Sequence, residues 1–487
     1  MTHRNCAADR SQFIDVSIFT LSRRGFLGAG AAALALMPGR RALGAAGSDI
    51  RLVPGPAHAP LLGAGAPTTP VWAYNGAVPG PEIRLRQGTP LRVEVENGLG
   101  QDTTIHWHGL RLPNAMDGVP YVTQEPIPPG GRFVYQFTPP DAGTFFYHPH
   151  VRGSEQQGRG LYGALIVEEA EPPQVDREAL WVIDDWRLGE DGTIDDSFGN
   201  GMDMSHAGRR GNVATLNGRD SGTFSVRAGE RLRLRLINTA NARIFALRFE
   251  GHRPVVIALD GQPVAPYEAE GAGIVLPPAG RADLILDMVG DPGASFAVTD
   301  DYSNRNAYKF LDLVYDEAPP LRSSPLDMPV ALAANPLPEP DLDHARRHEI
   351  VLAGGAMGSM RSAILNGEEL GIRELAGLGK VWALNGIAAH QVNMPPLLTF
   401  ERGRTQVLAL RNDTAFPHPM HLHGFSFQVI SRNGRPNPRR EWLDTVLLER
   451  DETAELAFVA DNPGDWLFHC HILEHMEAGM NAVFRVL

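Results

Sequence analysis

The sequence WLFHCHILEHMEAGM, residues 466–480, holds five side chains that bind metals well: His469, Cys470, His471, His475 and Met480. Cysteine is scarce in this chain, because the only other one is Cys6. On an extended strand alternate side chains share a face, so the two histidines that flank Cys470 point to one side and its thiol to the other. This short stretch therefore predicts two metal sites, one on each face of a single strand.

The length and composition indicate an ordinary globular protein built from turns and short strands. The chain has 487 residues, enough for about two to four domains, and it is 43% hydrophobic and 21% charged. Its 52 glycines and 39 prolines favour short strands joined by tight turns. The formal net charge of -13 argues against nucleic acid as a partner.

One phrase recurs three times along the chain: an Asn-Gly pair, a later glycine, and a strand pattern that ends in asparagine nine residues after that glycine. The copies contain LRVEVEN, LRLRLIN and QVLALRN, and they end at Asn97, Asn238 and Asn412. These segments alternate or nearly alternate, as half-buried strands do. We therefore predict an all-β protein with three β-domains, at residues 48–170, 175–318 and 345–487. A Pro-rich linker, residues 319–344, would join the second and third domains.

The repeat also places the histidines. Nine residues after the final asparagine, the first copy has HWH and the third has HLH, whereas the middle copy has LRF. A second phrase, AGTFFYHPH in the first domain and PGDWLFHCH in the third, supplies another pair in each, and the middle domain has PGASFAVTD instead. The four His-x-His pairs are His106 and His108, His148 and His150, His421 and His423, and His469 and His471. The middle domain keeps the frame of the repeat, with Leu247, Val298 and Asp300 in place of histidines.

The eight imidazoles of these pairs can converge only if the first and third domains face each other. On a strand, each His-x-His pair presents both rings on one face. Neutral imidazole suits copper, zinc, iron and nickel, and about three metal ions with two or three ligands each would use all of the rings. We therefore predict a metal cluster between the first and third domains.

Cys470 belongs to a different site, on the other face of its strand. His475 and Met480 follow it closely, and His418 is the candidate for a second imidazole because it stands three residues before His421, outside the alternation of HLH. Two histidines, one cysteine and a weak axial methionine make up a blue-copper electron-transfer site. The strand would then join the two sites through a few covalent bonds.

The segments HWHG, HPH, HPMHLHG and HCHILEHMEAGM resemble the copper motifs of the multicopper oxidases, and the resemblance covers all three domains. It implies three consecutive cupredoxin-like Greek-key β-barrels and four copper ions, namely one type 1, one type 2 and two type 3. It also implies an oxidoreductase that oxidises its substrate one electron at a time at the type 1 copper. Dioxygen would be reduced to water, with four electrons, at the trinuclear cluster of the other three ions.

The resemblance also implies which side chains bind each copper ion. The ligands of the type 1 copper would be His418, Cys470, His475 and Met480. The ligands of the type 2 copper would be His106 and His421. The ligands of the two type 3 ions would be His108, His148 and His471 on one, and His150, His423 and His469 on the other.

Two acidic residues match acids that relay protons in similar oxidases: Glu474, shortly after HCH, and Asp117, in MDG. Reducing dioxygen to water consumes protons, so a buried cluster needs such a path. The alternatives are an ordinary turn aspartate for Asp117 and a solvated or salt-bridged carboxylate for Glu474. Asp413 and Asp444 are further candidates, which we expect to orient the histidines of the type 1 site.

The substrate is less well defined by the sequence. An axial methionine argues against the high-potential fungal laccases and favours bacterial laccase-like or copper-handling oxidases. Residues 354–371 are too few for the long methionine-rich cover of copper efflux oxidases, so we expect His475 to lie near solvent and the enzyme to oxidise phenols or similar aromatic donors. The alternative substrate is cuprous ion, as in copper detoxification. The methionines nearest to a Cu(I) site are Met202, Met204, Met357 and Met360, although the pattern favours loop or core filler for them.

The N-terminus has the features of an export signal. Residues 22–28, SRRGFLG, resemble a twin-arginine signal, and the apolar run that follows is too short to span a bilayer comfortably. A signal peptide over residues 1–46 would be cleaved with Cys6 and would leave a periplasmic protein with no stable membrane span. Its partner would be the twin-arginine translocation machinery, which exports folded, often metal-loaded proteins. The alternative is an N-terminal helix or membrane anchor.

Two other classes of cupredoxin protein are alternatives to the oxidase. A copper-free scaffold used for binding would have lost its ligands, whereas ten histidines and the cysteine are present here in order. A nitrite reductase normally has two cupredoxin domains per chain and no trinuclear cluster, which conflicts with the three repeats. Copper content separates the first of these classes from an oxidase.

Overall fold

The structure is a computed structural model, and it describes residues 49–220, 222–303, 307–324, 326–329, 331–389 and 394–487. The predicted signal peptide and Cys6 lie outside these residues. The described part of the chain contains 34 strands and four short α-helices, so the prediction of an all-β protein is confirmed. No helix within it is long and apolar enough to cross a membrane.

The first nine strands form three small sheets, with the orders β1-β5-β7, β2-β3 and β4-β9-β8-β6. They are β1 Ile50–Leu52, β2 Pro54–Ala59, β3 Thr69–Tyr74, β4 Ile83–Arg86, β5 Leu91–Glu96, β6 His106–His108, β7 Arg132–Phe137, β8 Gly143–His148 and β9 Gly163–Glu168. A 3-10 turn covers Asn114–Met116, and α1 covers Gly153–Gly158. Strand β5 alternates as predicted, since Leu91, Val93 and Val95 are buried and the residues between them are half-buried.

The middle eleven strands form a six-stranded and a five-stranded sheet, with the orders β11-β10-β13-β18-β15-β16 and β12-β20-β19-β14-β17. They are β10 Arg177–Trp186, β11 Val213–Leu216, β12 Thr223–Val226, β13 Arg231–Asn238, β14 Phe245–Phe249, β15 Val255–Leu259, β16 Gln262–Glu268, β17 Gly273–Leu276, β18 Arg281–Asp287, β19 Ser295–Asp300 and β20 Tyr308–Tyr315. Helix α2 covers Gly201–Ser205, and a 3-10 turn covers Glu270–Ala272.

Strand β13 corrects one prediction, because it is buried over its whole length and not half-buried. Its alternating arginines lie under the first domain, where Arg235 contacts the hydroxyl of Thr144 at 2.8 Å. Arg233 and Arg235 donate to the buried carboxylate of Asp283 at 2.6 and 2.9 Å. The polar face of this strand therefore meets another domain, which the alternation of one strand alone cannot reveal.

The last fourteen strands form a sheet in the order β24-β21-β26-β32-β28-β29, with β30 paired to β28, together with the sheets β22-β23 and β25-β34-β33-β27-β31. They are β21 Arg346–Gly354, β22 Ser362–Leu365, β23 Glu368–Gly371, β24 Trp382–Leu384, β25 Pro396–Phe400, β26 Thr405–Asn412, β27 His418–Leu422, β28 Phe427–Arg432, β29 Arg435–Pro436, β30 Trp442–Leu443, β31 Thr445–Leu448, β32 Thr453–Val459, β33 Gly464–Cys470 and β34 Asn481–Val486. Helices α3 and α4 cover Ile372–Gly377 and Leu473–Glu477, and a 3-10 turn covers Leu342–His344.

The internal repeat is visible in the strand pairing. Antiparallel partners bring His106 opposite His148 in the first domain and His421 opposite His469 in the third. In the middle domain Leu247 lies opposite Asp300 and not opposite Val298. The middle copy of the second phrase is therefore shifted by two residues relative to the prediction, and a bulge occurs next to Val298 where β19 pairs with β20.

Candidate metal centre

Eight histidines converge between the first and third domains, and all of them are buried. Strands β6 and β8 and the residues just after β8 carry four of them, and β27, β33 and the residues just after these strands carry the other four. Their ring nitrogens form close trios, all within 4.8 Å, which are His106, His108 and His421; His108, His148 and His471; and His150, His423 and His469. The structure therefore brings together the same histidines that the sequence predicted for each of the two type 3 ions.

The ring nitrogens of the cluster have the arrangement that metal ligands require. Outer nitrogens donate to the protein: Nδ1 of His106 to the carbonyl of Asp117, and Nδ1 of His421 to the carbonyl of Asp444, both at 2.9 Å. Several buried nitrogens have no hydrogen-bond partner among the described residues, namely His106 Nε2, His108 Nδ1, His148 Nε2, His150 Nε2, His421 Nε2, and both of His471. Buried polar atoms are nearly always satisfied, so this set of donors fits bound metal ions.

Burial also keeps these imidazoles in the form that binds metals. It lowers the pKa of His108, His148 and His150 well below the usual range, and the neighbouring imidazoles lower it further. The same causes act on His423 and His469. Neutral imidazole is a good ligand for copper, so the donor set and its charge state agree.

Cys470 lies on the opposite face of β33 from His469, as predicted. Its sulfur is 3.5 Å from Nδ1 of His418 and 3.7 Å from Nδ1 of His475, and these two nitrogens are 3.1 Å apart. Met480 is buried in the same core, and its backbone carbonyl accepts from the N–H of Cys470 at 3.0 Å. One thiol and two imidazoles facing one point fit a copper ion of the blue electron-transfer kind.

The expectation that His475 lies near solvent is wrong. His475 is fully buried, and its Nε2 donates to the carbonyl of His206 at 2.6 Å. Residues 201–208, which include α2 and which we call the α2 cover, lie over this histidine. The indole of Trp382 donates to the carbonyl of Met204 at 2.6 Å and holds the cover in place. The middle domain, and not residues 354–371 alone, therefore shields the Cys470 site.

The predicted roles of Asp413 and Asp444 in orienting the type 1 histidines are also wrong. Asp413 pairs with Arg411 at the surface, and the Nε2 atom of His418 is instead bound by the hydroxyl of Thr414 at 2.8 Å. Asp444 is fully buried beside the other cluster, where its carboxylate accepts from Nε2 of His108 at 3.1 Å.

Asp117 lies in the wall of the histidine cluster and has no exposed surface. One carboxylate oxygen accepts from Nδ1 of His423 at 2.9 Å, and the other has no hydrogen-bond partner among the described residues. The next residue, Gly118, has a φ of +83°, and a Cβ there would overlap the carbonyl of Ile105. The MDG turn therefore presses Asp117 against the cluster, so the reading as an ordinary turn aspartate does not describe its surroundings.

Glu474 is buried at the first turn of α4, on the side of the middle domain. Its carboxylate accepts from the side chain of Asn241 at 3.0 Å and from the backbone N–H of Arg209 at 3.1 Å. Burial raises its pKa to about 7. A carboxyl group that titrates near neutral pH can both take up and release protons there. Glu474 is buried and forms no salt bridge with the other described residues.

The middle domain contacts both sites, which the sequence did not predict. Arg281 binds the carboxylate of Asp444 with two nitrogens, and Asp260 accepts from the backbone N–H of Thr445 at 3.1 Å. Burial by itself would raise the pKa of Asp444, but the charge of Arg281 outweighs it and holds that pKa below its usual range. No motif marks these residues, because they come from a domain without histidine pairs.

Comparisons with known proteins agree with this geometry. Three family models described as multicopper oxidase match residues 59–172, 181–316 and 374–487. The chain is 31% identical to multicopper oxidase MmcO of Mycobacterium tuberculosis over 94% of this chain and 95% of that protein. It is 30% identical to Laccase-1 of Botryotinia fuckeliana over 87% of this chain and 80% of that protein.

A solved structure is similar over nearly the same length. The multi-copper oxidase from Pseudomonas thermotolerans superimposes with a TM-score of 0.79 at 35% identity, and the match covers 90% of this chain and 99% of that one. The fold is thus that of three cupredoxin-like domains. With the family models, the relatives and the two buried donor sets in agreement, the chain belongs to the multicopper oxidase family.

Proposed function

We propose that this oxidoreductase binds four copper ions, one at the Cys470 site and three in the histidine cluster. The observation that carries the proposal is the single strand β33, which turns Cys470 toward one donor set and His469 toward the other. His418, Cys470, His475 and Met480 would hold the type 1 ion. His106 and His421 would hold the type 2 ion, and the two remaining trios would hold the type 3 pair.

Bound copper supplies one-electron chemistry, which carries electrons from a reducing substrate at the Cys470 site to dioxygen at the histidine cluster and yields water. The chain supplies the path between the sites, because Cys470 is joined to His469 and His471 by peptide bonds alone. The surrounding protein holds the neutral imidazoles of the cluster in fixed orientations. Their burial keeps bulk water away from the cluster.

Asp117 and Glu474 are proposed to deliver the protons that water formation requires. The Asp117 carboxylate already accepts a hydrogen bond from His423 inside the cluster wall, and its second oxygen lies 3.3 Å from Nδ1 of His106. Glu474 follows His471 by three residues and has a pKa near neutral pH. Both therefore lie where a proton can be held close to the reduction site.

Aromatic donors such as phenols are the first candidate substrates. A relative at 30% identity is named a laccase, and electron transfer to a buried His475 needs no direct contact with the donor. The donor would rest on the α2 cover, from which the carbonyl of His206 leads to the ring of His475. Bulky donors were expected because His475 was predicted to lie near solvent. Since His475 is buried, oxidation of phenols now requires a donor to bind on the α2 cover.

Cuprous ion is the second candidate, and exposed thioethers on and beside the cover favour it. Met202 is 65% exposed and Met357 is 81% exposed. Their segments touch, because the N–H of Ala356 donates to the carbonyl of Ser205 at 2.7 Å. Thioether sulfur is a ligand suited to Cu(I). Met360, by contrast, packs against a small apolar cluster and fits the reading as core filler.

Oxygen uptake with a phenol and with cuprous ion, measured side by side on the copper-loaded protein, tests the proposal. The proposal expects uptake with at least one donor and a protein that is reoxidised by dioxygen after each turnover. Uptake with neither donor, in protein that holds copper, would contradict the oxidase activity. Phenol oxidation only in the presence of added copper would instead assign the cover to cuprous ion.

Export through the twin-arginine pathway to the periplasm is proposed from residues 22–28 alone. Replacing Arg23 and Arg24 together by lysine should keep the protein inside the cytoplasm, because the pathway reads the arginine pair. Cell fractionation with an antibody to the folded domain measures this. Undiminished export of the double variant would contradict the proposed route.

A further inference from the structure

Arg281 is a buried cation of the middle domain whose side chain reaches both of the other domains. It begins strand β18, and its side chain has no exposed surface. Its Nε donates to the carbonyl of Thr144 in the first domain at 3.3 Å, and Nη1 donates to the carbonyl of Ala279 at 3.0 Å in its own domain. Nη1 and Nη2 both donate to the carboxylate of Asp444 in the third domain. One guanidinium therefore ties the three domains together.

Asp444 and the next residue, Thr445, connect Arg281 to the histidine cluster through hydrogen bonds. The carboxylate accepts from Nε2 of His108 at 3.1 Å, and the backbone carbonyl of Asp444 accepts from Nδ1 of His421 at 2.9 Å. The hydroxyl of Thr445 lies 3.2 Å from His108 Nε2 and 3.1 Å from His421 Nδ1. Two neighbouring residues thus set the orientation of two rings that come from different domains.

Asp260, also from the middle domain, fixes the backbone of the same two residues. One of its oxygens accepts from the N–H of Arg281 at 3.0 Å. The other accepts from the N–H groups of Asp444 and Thr445 at 3.3 and 3.1 Å. Asp260 thereby holds the main chain of the pair whose carboxylate Arg281 holds.

The glycine of the HWHG motif is explained by the same tie. Gly109 has a φ of +84°, and a Cβ on it would overlap both Arg281 and Asp444. The strand that carries His106 and His108 therefore lies directly on the ion pair. No larger residue fits between that strand and the middle domain.

We infer that Arg281, together with Asp260, is a positioning residue of the histidine cluster, supplied by the one domain that contributes no copper ligand. The inference rests on the proposed copper binding. A carboxylate that accepts from Nε2 of His108 leaves Nδ1 free for a metal ion, and that nitrogen has no other partner among the described residues. The middle domain is therefore part of the metal site and more than a spacer.

The test replaces the guanidinium and measures copper retention. Arg281→Met leaves Asp444 without its cation, so the copper ions that His108 and His421 would hold should be lost about 10–100-fold more readily to a chelator. The blue absorption of the Cys470 site should stay unchanged, since no contact joins Arg281 to it in the described residues. Arg281→Lys, which keeps the charge, should retain more of this copper than Arg281→Met.

Arg231→Met is the matched control. Arg231 is buried on β13 and pairs with Asp287 at 2.6 and 2.7 Å, at the opposite end of β18 from Arg281. It should retain copper as the wild type does. Equal loss in both variants, or wild-type retention in Arg281→Met, would overturn the inference. If Arg281→Met does not fold, Asp260→Asn gives the same readout, with selective loss expected and wild-type retention contradicting the inference.

Copper measurements on the copper-loaded wild type distinguish failure of this inference from failure of the proposed function. A wild type that holds copper in the cluster while Arg281→Met and Asp260→Asn behave like it would overturn the inference alone. A wild type that holds no copper in the cluster would overturn the proposed function and this inference with it. Metal analysis and the electron paramagnetic resonance signal of non-blue copper give both readouts without any measurement of activity.

Discussion

Six histidines of the cluster donate a hydrogen bond to an acceptor behind the ring. The acceptors differ in kind, because Asp117 offers a carboxylate to His423 and a backbone carbonyl to His106. A charged acceptor binds an N–H more strongly than a neutral one does and makes the ring a better ligand. Single carboxylates in this wall are thus expected to affect the rate of dioxygen reduction more than they affect folding.

Asp117→Asn should keep copper and colour but slow the reoxidation of the reduced protein by dioxygen. The amide can still accept from His423, but it cannot supply a proton as a carboxyl group does, so a loss of about 10²–10⁴-fold is expected. Stopped-flow mixing of reduced protein with dioxygen measures this step separately from substrate oxidation. Asp413→Asn, at the surface pair with Arg411, is the control and should behave as the wild type. Wild-type reoxidation by Asp117→Asn across the pH range would refute the role.

Glu474 gives a prediction about stability and pH. Burial raises its pKa from 4.5 to about 7, so between these values the folded chain keeps a proton that the unfolded chain releases. Rising pH therefore favours the unfolded chain across this window, and the stability present below pH 4.5 falls by about 3 kcal/mol by pH 8. Glu474→Gln has no such proton, so its stability relative to the wild type should increase by that amount as the pH rises.

Urea unfolding of the copper-free forms at pH 4.5 and pH 8 measures this change. The comparison concerns how the difference between the two proteins varies with pH, because the glutamine has one acceptor fewer for Arg209 and Asn241 and costs some stability at every pH. A difference between wild type and variant that is the same at both pH values would show that Glu474 titrates as an ordinary carboxyl group.

Side-chain types and spacing were enough to predict which histidines the structure brings together, and which of them lie beside Cys470. The hydrogen-bond partners of these residues could not be predicted in this way. A His-x-His pair presents both imidazoles on one face of any strand, because alternate residues share a face. The acceptors behind the rings come from turns and from other domains, as Asp444 shows. A single aspartate carries no periodic signal, so its placement at the type 1 site was a wrong prediction.

Among the structural elements, the α2 cover is the one that lies against His475, through the carbonyl of His206. Asn200 caps α2 by accepting from the N–H of Asp203 at 2.9 Å, and the carboxylate of Asp203 pairs with Arg187 at 2.6 and 2.9 Å. These contacts fix a five-residue helix that would not be stable alone. The sequence GMDMS does not predict that this helix lies over His475, because the contact joins residues that are far apart in the chain.

Replacing Met202, Met204, Met357 and Met360 together by leucine separates the two candidate substrates. Leucine has nearly the same size but no sulfur, so cuprous oxidation should fall while phenol oxidation is spared, if the thioethers bind Cu(I). The oxygen electrode measures both rates on the same preparation, and Met328→Leu, exposed in the linker, is the control. Unaltered cuprous kinetics in the fourfold variant would make these methionines filler and would remove the structural support for a copper-handling role.

For the whole molecule, three similar domains perform different tasks. The first and third supply eight histidines to one cluster, and the third alone supplies the Cys470 site. The middle domain keeps the strand frame, with Leu247 opposite Asp300 where the others have histidines, and covers or braces both sites instead. The repeat and the all-β fold were predictable from the sequence, and the His-x-His pairs also predicted that the first and third domains face each other. The contacts of the middle domain with both sites were not predictable, because that domain has no histidine pairs.

Copper analysis of the purified, copper-loaded protein, with Cys470→Ser beside the wild type, tests whether the chain binds copper at both donor sets. We expect about four copper ions per chain and a blue wild type, since the two donor sets hold twelve proposed ligands. Cys470→Ser should lose the blue colour, because a hydroxyl is a poor ligand for this site, and keep copper in the histidine cluster. A colourless wild type that holds a single copper ion would contradict the account.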